Sequence, residues 1–196
     1  MARYSILIYL IIYLLVAFVL PTYCVWKRTG INPVTFGRTE SAHDYVGMMF
    51  RLVMLILSLV IAISAFYPSI NEYLIPVFWL DAVVVRYAGY VMLAVSLVWI
   101  VAAQLQMADS WRIGIDQEKT QLVTKGVFGI SRNPIFLGML FTLSGLLLAM
   151  PNAFTLLVFA LGYALIQIQV RLEEEHLMST HGNDYQAYAN VVRRWL

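Results

Sequence analysis

Three adjacent carboxylates stand near the C-terminal end of the chain, at Glu173, Glu174 and Glu175. Such a cluster is costly unless a cationic side chain or a positively charged ligand compensates it. Five residues at spacings of i, i+4, i+7, i+8 and i+11, four of them polar, share one face of the helix predicted here. These residues are Gln167, Arg171, Glu174, Glu175 and Met178. The pattern fits a ligand site, and it fits equally a solvated helix end in which Arg171 pairs with a glutamate.

A second group with chemical potential lies in the segment GVFGISRNPIFLG, at residues 126–138. Gly126 and Gly129 permit positive φ or close approach of the backbone, and Pro134 suits the first turn of a helix. Arg132 stands at the start of an apolar helix, where its guanidinium must reach water, pair with a carboxylate or bind an anion. The alternative is that Arg132 only anchors the helix at the membrane surface.

The C-terminal residues form a third group. Tyr185 and Tyr188 lie at i and i+3 on a short predicted helix, and Arg194 and Trp195 follow it. Taken alone, this segment is typical of an amphipathic helix at a membrane surface. Other chemistries find little support, because Cys24 is the only cysteine in the sequence and dinucleotide- and phosphate-binding glycine motifs are absent. We predict no metal site.

The composition restricts which elements can position these residues. Of the 196 residues, 61% are hydrophobic and 12% are charged, and the mean hydropathy is +0.77. Soluble proteins contain about 45–50% apolar and about 25% charged residues, so a soluble enzyme and a disordered chain are both excluded. The net charge of +2 gives no indication of a nucleic-acid partner. The chain is predicted to be an integral membrane protein.

Five segments are apolar enough to form membrane helices, which need about 20 residues. They are residues 4–25, 45–66, 82–103, 135–150 and 154–170. Pro151 and Asn152 predict a tight turn that makes the last two segments an antiparallel hairpin. Gly145 and Ala149 predict close helix packing. The predicted fold is therefore an all-α integral membrane bundle of about five transmembrane helices, followed by a cytosolic C-terminal segment.

The positions of lysine and arginine predict the orientation of this bundle. If the N-terminus is outside, only Arg3 and Arg86 lie outside and eleven basic residues are cytosolic, as the positive-inside rule requires. The eleven are Lys27, Arg28, Arg38, Arg51, Arg112, Lys119, Lys125, Arg132, Arg171, Arg193 and Arg194. We predict a multi-pass protein, in the inner membrane if the source is bacterial, with a cytosolic C-terminus. It is one domain, with a three-helix part at residues 1–103 and a core at residues 104–196.

The start of the fourth predicted helix carries a specific resemblance. Arg132, Asn133, Pro134, Phe136 and Gly138 match the order and spacing of a signature of the isoprenylcysteine carboxyl methyltransferase family, Arg-His-Pro-x-Tyr-x-Gly. Asparagine and phenylalanine replace the histidine and tyrosine of that signature, so this chain offers no imidazole or phenol at those positions.

The rest of the C-terminal half resembles the same family. The segment EEEHLMSTHGNDYQAYANVVRR, at residues 173–194, is similar to its closing signature, and residues 110–114 and 122–126 are similar to its bacterial members. The resemblance covers about residues 104–196. Phospholipid methyltransferases and some membrane sterol reductases share related C-terminal signatures, so the prediction is membership of this wider membrane methyltransferase superfamily.

The resemblance implies an S-adenosylmethionine site at the cytosolic face and a lipid or prenyl-like acceptor that enters from the bilayer. It implies that Glu173 and Glu174 bind the amine and ribose hydroxyls of the cofactor. Arg132, with Arg194 as second candidate, would bind the cofactor's carboxylate. Arg132 and Glu174 are the implied catalytic residues, and aromatic side chains would surround the adenine. The remaining implied cofactor-binding residues are Gln104, Gly126, Phe128, Asn133, Pro134, Phe136, Gly138, Tyr185 and Tyr188.

The implied reaction is methyl transfer by in-line displacement, for which the protein mainly provides positioning and exclusion of water. The expected acceptor is lipid-like, including a carboxylate as in isoprenylcysteine. The alternatives are an amine phospholipid, for which a glutamate would serve as base, and a nicotinamide-dependent reductase on the same scaffold. A non-enzymatic small transporter or assembly factor is a further alternative. The first three helices are expected to shape the acceptor site.

Overall fold

The computed structural model describes residues 2–30, 32–34, 41–108, 111, 113 and 122–196. Several residues of the predicted motifs and cytosolic loops lie outside these ranges. They are Arg38, Ser110, Arg112, Gly114 and Lys119. The described residues form helices and no β-sheet, apart from isolated bridges such as that between Val34 and Ile113.

Long apolar helices dominate the described part of the chain. Its α-helices are α1 (Ala2–Leu14), α2 (Leu20–Thr29), α3 (Ala42–Phe66), α4 (Ile70–Tyr73), α5 (Val83–Met107), α6 (Pro134–Ala149), α7 (Ala153–His181) and α8 (Asn183–Val191). Four helices in these ranges are long and apolar enough to cross a membrane, namely the continuous helix Tyr4–Thr29 formed by α1 and α2, and α3, α5 and α7. The all-α membrane fold is thus confirmed. A fifth span at α6, which has only 16 residues, stays a prediction.

A π-helical turn, Leu15–Val19, joins α1 to α2. Such a turn displaces backbone carbonyls from the regular helical hydrogen-bond pattern and is frequent at functional sites. Here the Gln104 Nε2 group of α5 donates to the Ala17 carbonyl at 2.6 Å, and both residues are buried. Gln104 therefore fixes the shape of the first helix at the level where its residues line the cavity described below.

The most extensive contact between two helices joins α5 and α6. A Cβ atom added to Gly89 of α5 would stand 2.6 Å from the Ala149 nitrogen and 2.8 Å from the Gly145 oxygen of α6. Small residues permit this close approach of two backbones, so the packing predicted for Gly145 and Ala149 is confirmed. The hydroxyls of Ser96 and Thr142 form a hydrogen bond across the same interface at 2.9 Å.

We expect Gly89→Ala to destabilise the protein by about 1–3 kcal/mol, because the added methyl group meets backbone atoms that cannot rotate away. Thermal melting of the purified protein in detergent measures this change. Gly129→Ala is the matched control, since a Cβ there would contact only the Thr124 oxygen at 3.6 Å. Equal melting temperatures for the two variants would contradict the close contact between α5 and α6.

The helices α6 and α7 form the predicted hairpin. Asn152 begins α7 with a capping box, in which its side chain accepts from the Thr155 nitrogen at 2.9 Å and Thr155 Oγ1 accepts from the Asn152 nitrogen at 3.3 Å. The Pro151 carbonyl accepts from the Val77 nitrogen at 2.9 Å. The loop between α3 and α5 therefore packs at the same end of the bundle as this turn.

Described parts of the three polar segments predicted to be cytosolic, residues 27–44, 104–131 and 171–196, converge at the opposite end of the bundle. The Ile113 nitrogen donates to the Pro33 carbonyl at 2.9 Å, and the Arg132 nitrogen donates to the Arg193 carbonyl at 3.0 Å. Described parts of all three segments predicted to be cytosolic thus lie near one another. Their orientation with respect to the membrane stays a prediction.

We expect labelling with a membrane-impermeant maleimide to report this orientation. Asn71→Cys and Asn190→Cys would each be made in a Cys24→Ser background, because the native cysteine is exposed. Position 71 should react in intact cells, and position 190 should react only after the membrane is permeabilised, as the positive-inside rule requires. Reaction of position 190 in intact cells would reverse the predicted orientation.

Candidate active site

A cavity of about 510 Å³ lies at the end of the bundle where the polar segments converge. A large pocket with apolar walls and a few polar groups is typical of a ligand site. The polar side chains in its wall include Gln104, Arg132, Asn133, Gln169 and Glu173. Its apolar wall includes Tyr13, Leu14, Phe18, Phe50, Met54, Phe136 and Met139.

Arg132 lies two residues before Pro134, where α6 begins. Its Nη1 group donates to the Ala189 carbonyl at 3.3 Å, and its Nε atom is 3.5 Å from Glu174 Oε1. The side chain is only 16% exposed, and Nε has no hydrogen-bond partner among the described residues. A largely buried guanidinium that lines a cavity is suited to an anionic group of a ligand.

Glu174 connects α7 to the C-terminal segment, residues 183–196. Its Oε2 atom accepts hydrogen bonds from Arg194 Nη2 at 2.7 Å and Nε at 3.1 Å, and its Oε1 atom accepts one from Asn133 Nδ2 at 2.9 Å. The Glu174 side chain is 11% exposed. Its hydrogen bond raises the pKa of Arg194 above the usual value. Glu174 thus pairs with Arg194, not with Arg171, and lies outside the cavity wall.

The two tyrosines of α8 also hold the C-terminal segment in place. Tyr188 donates its hydroxyl hydrogen bond to the Phe128 carbonyl at 2.6 Å, and the Tyr185 ring contacts the Tyr188 ring edge-on with centroids 6.0 Å apart. Burial raises the pKa of Tyr185 to about 12 and the pKa of Tyr188 to about 12. Both phenols are therefore neutral at physiological pH, and they pack the segment against the turn before α6.

The structure divides the predicted site residues into two groups. Those in the cavity wall are Gln104, Phe128, Arg132, Asn133, Pro134, Phe136 and Glu173. Those outside it are Gly126, Gly138, Glu174, Tyr185, Tyr188 and Arg194. The second group surrounds the first and supports it.

Two glycines of the predicted site have structural roles. Gly126 has φ of +63°, a left-handed conformation that favours glycine, and it begins the 3-10 turn before α6. Gly138 lies on the face of α6 that packs against α5, where a Cβ atom would overlap the Ile100 side chain. The first glycine shapes the turn and the second permits the helix contact.

The polar face that α7 turns inward differs from the predicted one. Gln169 is 2% exposed, and its Nε2 group donates to Glu173 Oε1 at 3.0 Å. Arg171 is exposed and donates to the carbonyl and the side chain of Gln167 at 2.6 and 3.0 Å. Sequence reasoning therefore missed Gln169. The signal that could have revealed it is its i, i+4 spacing from Glu173.

A comparison with protein families gives a match. The model of a family described as phospholipid methyltransferase matches residues 84–184. The chain belongs to the phospholipid methyltransferase family. The matched region runs from α5 into α8 and includes Arg132, Asn133, Glu173 and Glu174. The predicted membership of the membrane methyltransferase superfamily is thus confirmed. Neither the curated proteins nor the solved structures give a significant match.

The family indicates a methyltransferase. It therefore favours the predicted enzyme class over the reductase and over the non-enzymatic alternatives.

Proposed function

We propose that the protein transfers a methyl group from S-adenosylmethionine to an acceptor lipid drawn from the bilayer. One observation carries the proposal. The polar part of the cavity wall contains a guanidinium, Arg132, and a carboxylate, Glu173, and both residues fall within the region that the phospholipid methyltransferase family matches.

The side chains of the cavity wall fit the parts of this cofactor. The Arg132 guanidinium, which belongs to the cavity wall, suits the cofactor's carboxylate, and the Glu173 carboxylate suits the amino group of the cofactor or of the acceptor. Phe128 and Phe136 offer aromatic surface to the adenine. When bound, the cofactor supplies a methyl group activated by its sulfonium charge. The residues of the cavity bind and orient the two reactants and exclude water.

Glu174 and Arg194 serve this site indirectly in the proposal. Their ion pair fixes the C-terminal segment, whose Ala189 carbonyl in turn accepts a hydrogen bond from Arg132. Asn133 occupies the position of the histidine in the Arg-His-Pro-x-Tyr-x-Gly signature and donates a hydrogen bond to Glu174. We therefore assign Glu174 a positioning role and leave direct contact with the ligand to Arg132 and Glu173.

The acceptor in this proposal is a phospholipid with an amino group. Leu14, Phe18, Phe50 and Met54 give the cavity an apolar wall from the first and third helices, which suits acyl chains. The Glu173 carboxylate in the cavity wall can accept the proton that an amine must lose before it attacks the methyl group. The first half of the chain thus shapes the acceptor site in this proposal.

Two measurements test the proposed function. Calorimetric titration of the purified protein with S-adenosylhomocysteine should show saturable binding, and membranes incubated with methyl-labelled cofactor should incorporate label into phospholipid. Glu173→Gln should abolish most of the incorporation, while Glu175→Gln, a change at an exposed neighbour, should not. Label that mild base releases as methanol would indicate a methyl ester and therefore a carboxylate acceptor instead. Absence of S-adenosylhomocysteine binding by the folded protein would contradict the proposal.

A further inference from the structure

A chain of hydrogen bonds joins α3 to α7 beside the cavity. Gln169 Nε2 lies 2.9 Å from His43 Nδ1 and 3.0 Å from Glu173 Oε1. His43 stands in the first turn of α3, in the part of the chain that the family does not match. Gln169 and Glu173 line the cavity. These hydrogen bonds therefore connect α3 to the proposed ligand site.

The chemistry of the amide determines which atom donates. The Gln169 nitrogen carries two hydrogens, one for the Glu173 carboxylate and one for His43, whose Nδ1 must therefore accept and whose proton lies on Nε2. The Gln169 oxygen has no hydrogen-bond partner among the described residues, although the side chain is 2% exposed. The two acceptors on the nitrogen thus hold the amide in this orientation despite the unsatisfied oxygen.

We propose that His43 is a positioning residue, which acts through Gln169 to fix the Glu173 carboxylate toward an amino group of the ligand. This inference rests on the proposed function. A glutamate side chain has several rotatable bonds, and a donor that is itself held by a second residue limits the conformations of the carboxylate. His43 is that second residue, and it lies on a different helix. Because it acts only through Gln169 and Glu173, its effect should disappear when the Glu173 carboxylate is removed.

The amino group that Glu173 binds belongs either to the cofactor or to the acceptor lipid. The experiment therefore has one arm for each molecule. His43→Leu removes the acceptor atom at Nδ1 but keeps side-chain volume, whereas His43→Asn keeps an acceptor near the same position. Both are made in the parent and in a Glu173→Gln background. The first arm measures the dissociation constant of S-adenosylhomocysteine by calorimetry, and the second measures KM and kcat for an amino phospholipid in mixed micelles.

In the parent background we expect His43→Leu either to raise the dissociation constant of S-adenosylhomocysteine or to lower kcat/KM for the amino phospholipid. The expected change is about three- to tenfold, which is the effect of losing one hydrogen bond. The constant that changes shows which of the two amino groups Glu173 binds. His43→Asn should restore most of the loss. In the Glu173→Gln background His43→Leu should change neither the dissociation constant nor KM and kcat further, because the carboxylate that His43 positions is already absent. Melting curves of all variants show whether any loss reflects unfolding.

Three results would overturn the positioning role: a silent His43→Leu, equal effects of His43→Leu in the two backgrounds, or His43→Asn as harmful as His43→Leu. A parent protein that does not bind S-adenosylhomocysteine would refute the proposed function, and the role of His43 would fall with it. A parent that binds while His43→Leu stays silent in both arms would refute only the role of His43.

Discussion

Glu174→Gln should lower the thermal stability of the protein more than it changes any property of the cavity itself. The carboxylate compensates Arg194, at 2.7 Å, and also lies 3.5 Å from Arg132. Removing one partner of a buried, hydrogen-bonded charge pair costs about 2–5 kcal/mol, largely because the other charge stays buried and unpaired. Arg194 keeps 36% of its side-chain surface exposed, so we expect the lower half of that range.

Melting in detergent measures this loss, which corresponds to a decrease of roughly 5–10 °C for a chain of this size. Glu175→Gln is the matched control, because Glu175 is the exposed neighbour on the same helix. Binding of S-adenosylhomocysteine to the folded fraction separates the two interpretations of the acidic cluster. If the variant melts like the parent but binds S-adenosylhomocysteine ten- to a hundredfold more weakly, Glu174 contacts the ligand directly and the positioning role is wrong.

The membrane helices were predictable because each is a long apolar segment bounded by polar or turn-forming residues. Pro151 and Asn152 mark the hairpin turn, and Asn152 caps α7 as a residue of its type commonly does. Gly145 and Ala149 indicated the contact with α5, although the sequence did not show that Gly89 faces them. A partner on another helix depends on tertiary packing, and a local pattern carries no record of it.

The inward face of α7 was not predictable for a different reason. The first half of this helix is apolar on all sides, because one side contacts the bundle and the other is left for lipid, so its hydrophobic periodicity does not distinguish inside from outside. Ile166, Gln169 and Val170 are buried, whereas Tyr163 and Ile168 are exposed. Polar residues alone gave the predicted stripe. Its members Arg171 and Glu175 are exposed in the structure.

The sequence indicates the C-terminal signature residues as one group, and the structure shows which of them line the cavity and which lie outside its wall. Tyr185 and Tyr188 were expected beside the adenine, and Tyr188 instead donates to the Phe128 carbonyl. A signature records which residues occur together and not which of them contact a ligand. Residues that hold the C-terminal segment against the start of α6 are as necessary to such a site as the residues that line it.

Arg132→Lys is the change expected to affect cofactor binding most. Arginine presents two donors in a planar fork that matches a carboxylate, whereas lysine offers a single compact charge, so keeping the charge does not keep the contact. Loss of a buried charged hydrogen-bonded pair costs about 2–5 kcal/mol, and each tenfold change in affinity is about 1.4 kcal/mol. We expect the dissociation constant of S-adenosylhomocysteine to rise by about thirtyfold or more.

Arg193→Lys is the matched control, since Arg193 is the exposed arginine whose backbone carbonyl accepts from the Arg132 nitrogen, and its side chain has no place in the cavity wall. Calorimetric titration of both variants, beside their melting curves without ligand, separates lost contact from lost fold. Because Arg132 Nη1 also donates to the Ala189 carbonyl, a modest decrease in melting temperature is compatible with the cofactor role. If a folded Arg132→Lys variant binds S-adenosylhomocysteine with unchanged affinity, Arg132 only anchors the helix at the membrane surface. The cofactor's carboxylate would then need another partner.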